Sequence, residues 1–195
     1  MAKLLAFLNK GVIEAGCDEA GRGCLAGPVV AAAVIFNEKI ANDLALDDSK
    51  KLSEKKRNAL RLEIEEKALA WAVSFVSNDQ IDEINILQAS FLAMRQAVEQ
   101  LFIRPDHILI DGNRFVTSET MPPHTCVIQG DGKYSSIAAA SILAKTHRDE
   151  FMKKASEDFP GYDWHKNAGY PTAKHKASIK KLGITKLHRN SFKMI

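Results

Sequence analysis

Two neighbouring stretches limit what this chain can fold into. Val12 to Asp18 has the pattern of a strand, and Pro28 to Phe36 (Pro-Val-Val-Ala-Ala-Ala-Val-Ile-Phe) is a near-continuous apolar run of strand length. Between them lies a glycine-rich turn, Gly21-Arg22-Gly23, so the two are expected to pair like a β-hairpin. Asp18 and Glu19 stand together at the tip of the first strand. Successive strand residues point to opposite faces, so Glu19 is expected to share a site with Asp18 only if the strand ends or bulges there.

The remaining chain alternates strand and helix signals. Ser53 is a good N-cap for a helix through about Lys67, and a strand follows over Ala70 to Val76. Asn78 is expected to cap a long helix, whose apolar residues Ile84, Leu87, Phe91, Met94, Val98 and Leu101 alternate spacings of three and four and form a core stripe. His107 to Ile110 is a short strand running into Asp111-Gly112-Asn113, and Thr125 to Gln129 a further strand leading to Gly130-Asp131-Gly132. A helix is expected from Lys133 to Lys154, where Ala138-Ala139-Ala140-Ser141 would let it approach a sheet closely, and a basic helix from Ala173 to Leu182. This order predicts an α/β chain with a mixed sheet covered by helices.

At 195 residues and 46% hydrophobic, the chain has the size of one sizeable domain, with a basic helical region over about 164–195. The apolar start Leu4 to Leu8 is too short for a signal-peptide core, and no run approaches the roughly 20 residues that span a bilayer, which predicts a cytoplasmic protein with no membrane partner. Cys17, Cys24 and Cys126 form no Cys-x-x-Cys pair and are read as reduced structural thiols. The net charge of +3 hides an asymmetry: residues 164–195 hold eight Lys or Arg and no acid, leaving 19 basic residues against all 24 acids in the rest. An acid-free basic tail of 32 residues favours a polyanionic partner over a merely solvated face.

Acids at strand ends beside glycine are the best candidates for chemistry, since glycine admits close approach by a ligand. Asp18-Glu19, Asp111 and Asp131 qualify. If the strands before Asp111 and Asp131 run parallel, both acids reach the same sheet edge. Asp149 competes with Asp131, but a helix over most of the intervening 18 positions would separate them by up to about 27 Å, so only one can belong. Asp131, at a strand end and helix start, is favoured. Acids that converge repel one another unless cations sit among them, and all-oxygen ligation suits Mg²⁺ or Mn²⁺. Such ions can activate water against a phosphodiester. Taken singly, each acid is better explained as a cap or a turn-former, and only their joint placement at glycine-bearing strand ends brings the two readings level.

These residues also form an ordered set of motifs. The sequence resembles the bacterial ribonuclease HII family in Asp18-Glu19-Ala20-Gly21-Arg22-Gly23 with Leu25 to Ala33, in Asp48-Ser49-Lys50-Lys51-Leu52 and in Asp111-Gly112-Asn113-Arg114. Gly130-Asp131, the run Ile137 to Lys145 with Arg148-Asp149, and Gly169-Tyr170-Pro171-Thr172 complete the resemblance, which spans about residues 12–193. It implies a ribonuclease H-like fold: five strands, the first three antiparallel, flanked by helices, with a C-terminal helical segment. It implies endonucleolytic cleavage of the RNA strand of RNA/DNA hybrids and cutting 5′ of ribonucleotides embedded in duplex DNA, leaving 3′-hydroxyl and 5′-phosphate ends. By the same resemblance Asp18, Glu19, Asp111 and Asp131 bind Mn²⁺ or Mg²⁺ and carry catalysis. Gly21, Arg22, Gly23 and Tyr170 would read the 2′-hydroxyl, Lys50, Lys51 and the basic tail would hold phosphates, and the enzyme would be a monomer without the extra N-terminal domain of ribonuclease HIII. Cys24 departs from the family pattern, where proline commonly follows the second glycine. None of the six histidines is required by a four-acid site. A resolvase or transposase-type DNA nuclease, and a non-catalytic hybrid-binding module, are the rival readings.

Overall fold

The computed structural model describes residues 4–44, 46 and 52–194. Lys50 and Lys51, with the rest of the 47–51 loop, lie outside the described residues.

Five strands form one mixed sheet: β1 (Glu14–Ala20), β2 (Val29–Ile35), β3 (Ala70–Val76), β4 (His107–Asp111) and β5 (His124–Val127), in the order β3-β2-β1-β4-β5. β1, β2 and β3 are antiparallel neighbours, whereas β1 pairs β4, and β4 pairs β5, in parallel. The helices are α1 (Glu38–Asp43), α2 (Glu54–Lys67), α3 (Asn78–Glu99), α4 (Ser135–Asp158), α5 (Trp164–Asn167) and α6 (Ala173–Leu182). Among the described residues no helix is long and apolar enough to cross a membrane.

The unbroken apolar run of β2 follows from burial on both faces. Val29, Ala31, Ala33 and Ile35 pack into a core with Phe91, Met94 and Val98 of α3, while Ala32 and Val34 face Ile64 of α2 and Ala139, Ala140 and Leu143 of α4. The small residues of α4 do let it lie close to the sheet. A Cβ on Gly16 would stand 2.3 Å from the Ile137 backbone nitrogen, so only glycine permits this crossing.

The structure moves two features of α3. Its N-cap is Ser77, whose hydroxyl accepts from the Gln80 N–H while Gln80 reaches back to the Ser77 N–H, a capping box in place of the expected Asn78 cap. Asn78 instead ties the C-terminal segment down, donating to Lys186 O at 2.9 Å. The helix also breaks at Asn85 (φ 66°), where the Asn85 side chain accepts from the N–H groups of Leu87 and Gln88 and restarts it.

Candidate active site

Parallel pairing of β1 with β4 aligns Cys17 with Ile110, so Asp18 and Asp111 follow at neighbouring positions on the same sheet edge. Asp111 pairs Val127 of β5, and its Oδ1 accepts from the Gly130 N–H at 2.6 Å. Gly130–Gly132 is a 3₁₀ turn, which places buried Asp131 one residue beyond that contact and just ahead of α4.

Glu19 corrects the geometric expectation. β1 neither ends nor bulges there: Glu19 pairs Ala31 and Ala20 pairs Val30 in an unbroken ladder. β4 stops at Asp111, level with Asp18, so beyond that point β1 is flanked only by β2 and its β4 side is open, which lets Asp18 and Glu19 border one opening with Asp111. That opening is a cavity of about 310 Å³ bordered by Asp18, Glu19 and Asp111, by Gly21, Arg22 and Gly23, and by Tyr170. Asp131 does not line it.

The acids repel one another. Burial raises the Asp18 carboxyl well above its ordinary range, and the neighbouring charges of Glu19 and Asp111 raise it further, against hydrogen bonds from Ser141 and the Glu19 N–H. Burial also raises Glu19, countered by the Arg22 guanidinium 3.2 Å from its Oε1. Glu19 Oε2 is buried without a hydrogen-bond partner among the described residues. Among those residues no group of three or more His, Cys, Asp or Glu side chains forms a ready-made metal cage. The all-oxygen donor set, its mutual repulsion and the unpartnered Glu19 oxygen nevertheless fit a hard divalent cation.

The glycine-arginine-glycine turn rests on a buried cation. Gly21 has φ +98°, and a Cβ there would lie 2.0 Å from Arg148 Nε. Arg148 is fully buried and donates to Pro28 O, Ala168 O and Ala26 O, at 2.9, 2.8 and 2.9 Å. Arg189, also fully buried, donates to Gly27 O, Arg22 O and Pro28 O, at 3.0, 3.0 and 3.1 Å. Burial and the nearby Arg148 charge bring the Arg189 pKa down to about 10. Cys24 is buried under the turn, in hydrogen-bond contact with Tyr170.

Sequence reasoning missed three residues that line the cavity: Arg57, Ser141 and Lys145. Lys145 stands 5.2 Å from the Tyr170 ring centre and 2.7 Å from Asp149. Asp149, the rejected competitor of Asp131, is therefore partner to a lysine at the cavity wall. Their spacing along α4 was readable as an i,i+4 pair, but not which face it would turn to the sheet end.

A mixed sheet in this order, with carboxylates gathered where its central strands end, is the framework of a ribonuclease H-like nuclease. The sequence model of the ribonuclease HII family matches residues 15–195, and the chain belongs to that family. It is 62% identical over 192 residues to ribonuclease HII of Bacteroides thetaiotaomicron, covering 98% of this chain and 95% of that one. To the Porphyromonas gingivalis enzyme it is 53% identical over 190 residues, covering 97% and 94%. Among solved structures it is similar to ribonuclease H2 of Pyrococcus horikoshii (TM-score 0.76, 25% identity, 93% and 94% covered). It is also similar to RNase HII of Archaeoglobus fulgidus, solved as a PCNA complex (TM-score 0.79, 27% identity, 93% and 96% covered). The protein is an endoribonuclease acting on RNA/DNA hybrids.

Proposed function

We propose that this enzyme cuts 5′ of ribonucleotides embedded in duplex DNA, as well as within hybrids, and that the cavity at the end of β1 and β4 is where it does so. The observation that carries the reading is the meeting of Asp18, Glu19 and Asp111 with Gly21, Arg22, Gly23 and Tyr170 around one opening. Asp18, Glu19, Asp111 and Asp131 would hold Mg²⁺ or Mn²⁺ through oxygen atoms. A divalent ion held by these residues would supply Lewis-acid stabilisation of charge at the phosphodiester and would make a water a better nucleophile.

The chain's own residues account for selectivity. Gly21 and Gly23 present backbone with no side chain of their own, and Tyr170 brings a phenol to the same cavity, a pair suited to sensing the 2′-hydroxyl. Arg22 holds Glu19 by its charge, while Arg57 and Lys145 place positive charge at the cavity wall for the substrate backbone. Lys50, Lys51 and the basic tail would extend that phosphate contact. Water attacks phosphorus and the 3′-oxygen leaves, giving 3′-hydroxyl and 5′-phosphate ends. A single copy supplies every residue named, consistent with a monomer working in the cytoplasm.

The test uses a DNA duplex with one ribonucleotide, in Mg²⁺ or Mn²⁺. The expected outcome is a single cut 5′ of the ribonucleotide, lost by about a thousandfold or more (about 4 kcal/mol) in Asp18→Asn while binding persists. Failure of the pure enzyme to cut with either metal contradicts the reading. Equal cutting of an all-DNA branched substrate assigns it to the resolvase class instead.

A further inference from the structure

Tyr170 enters the cavity from the short link between α5 and α6, a stretch with no ladder or long helix to fix it. Its N–H donates to Asn167 O at 2.9 Å. Its carbonyl accepts from the Thr172 N–H at 2.8 Å and also lies 2.9 Å from Nδ1 of His175, in the first turn of α6, the one side-chain donor that reaches it among the described residues. Behind His175 stands a row of buried polar groups. The Trp164 indole N–H donates to His175 Nε2 at 2.9 Å, and His188 Nε2 lies 3.3 Å from that same nitrogen. His188 Nδ1 accepts from the Thr185 N–H at 2.9 Å.

These partners assign every proton. An indole nitrogen only donates, so His175 Nε2 must accept and its proton must sit on Nδ1, aimed at the Tyr170 carbonyl. A backbone N–H only donates, so His188 carries its proton on Nε2, aimed at His175. Both rings are fully buried, and with both neutral the single lone pair of His175 Nε2 is shared by the Trp164 indole N–H and the more distant His188 Nε2–H. Tyr162, stacked on Trp164 at 5.2 Å, closes the row off.

We propose that His175 is a positioning residue: the Trp164–His175–His188 row locks its Nδ1–H tautomer, and that N–H fixes the Tyr170 peptide and so the path of the phenol into the cavity. The proposal rests on the reading of Tyr170 as the ribose-sensing group. A tyrosine is a long lever, so a small rotation of its peptide displaces the hydroxyl on the order of 1 Å, enough to cost up to about 100-fold in rate.

Two substitutions separate positioning from bulk support. Asn at 175 can keep a donor where Nδ1 stands, whereas Gln reaches the Nε2 position and keeps an acceptor for Trp164 but leaves the Tyr170 carbonyl with the Thr172 N–H alone. On the single-ribonucleotide duplex, His175→Gln is expected to lower kcat about 10–100-fold with KM within about twofold. His175→Asn is expected to retain kcat within about threefold despite a similar loss in Tm. Equal falls in the two variants, tracking their Tm, overturn the proposal. Tyr170→Phe, assayed alongside, should lose at least as much as His175→Gln; an unchanged Tyr170→Phe rate overturns the reading of Tyr170 itself, a failure visible separately. Nitrogen-15 NMR of the wild-type imidazoles needs no variant to fold. His175 should show a protonated Nδ1 and a bare Nε2, and the opposite tautomer overturns the proposal.

Discussion

The acidic end of the sheet and the polar core behind the C-terminal helices both bury ionisable side chains, and they resolve that burial in opposite ways. Arg148 and Arg189 place two guanidinium groups out of water, yet together they donate six hydrogen bonds to carbonyls of residues 22–28 and 168. The His175–His188 row is likewise complete. By contrast, burial and the charges of Glu19 and Asp111 raise Asp18, burial raises Glu19 against the pull of Arg22, and Glu19 Oε2 has no hydrogen bond among the described residues. One region uses its polar groups to hold the chain together; the other leaves its carboxylates only partly compensated, with Glu19 Oε2 bare among the described residues. Stability and function are thus separated by a few ångströms, with Gly21 lying on Arg148 at the boundary.

The largest effect that can break this comparison is on stability. Arg148→Met removes the donor to Ala26 O, Pro28 O and Ala168 O and is expected to cost about 3–5 kcal/mol, read by denaturant unfolding. A loss below about 1 kcal/mol would mean the buried cations are not what holds the glycine turn.

Acid should sharpen the contrast with a smaller effect. Burial and the nearby His175 push the His188 pKa from the ordinary 6.5 down to about 4. The unfolded chain therefore binds the proton first, and this contribution, full above about pH 6.5, is lost as pH falls toward 4. Asp18 and Glu19 work the other way, because their raised pKa makes the folded state take up protons sooner. The His188 contribution is on the order of 1 kcal/mol, about 2–4 °C in Tm, and the acid-induced drop in Tm should steepen in Asp18→Asn, where the opposing carboxylate is gone. A drop that is no steeper in that variant breaks the opposition of the two regions.

How much of this was legible in the sequence depended on whether the determining contact was local. The bounds of β3 and α6 and the Ser53 cap of α2 follow from periodicity, caps and turns, whereas in sequence the parallel run of the strands before Asp111 and Asp131 is only a condition. The kink at Asn85 does not, because a left-handed asparagine leaves the apolar stripe intact on both sides of it. The place of Glu19 is only conditional in sequence, because strand alternation does not show where the neighbouring strand stops. Arg57, Ser141 and Lys145 sit on helices whose pattern reads as solvated or core face, and only the helix's rotation against the sheet end makes them part of the cavity. Arg148, His175 and His188 look like surface residues in sequence; their burial depends on carbonyls up to 122 positions away.

That the carboxylates of the acidic edge are left only partly compensated for the sake of a divalent ion is tested most directly by melting the wild type and Asp18→Asn with and without Mn²⁺. Without metal, Asp18→Asn should melt at or above the wild-type temperature, because one of the repelling charges is gone. With Mn²⁺ the wild type should gain several degrees, as any ligand that binds only the folded state requires, and the variant should gain little. A variant that is less stable without metal, or that responds to Mn²⁺ as strongly as the wild type, would contradict the account.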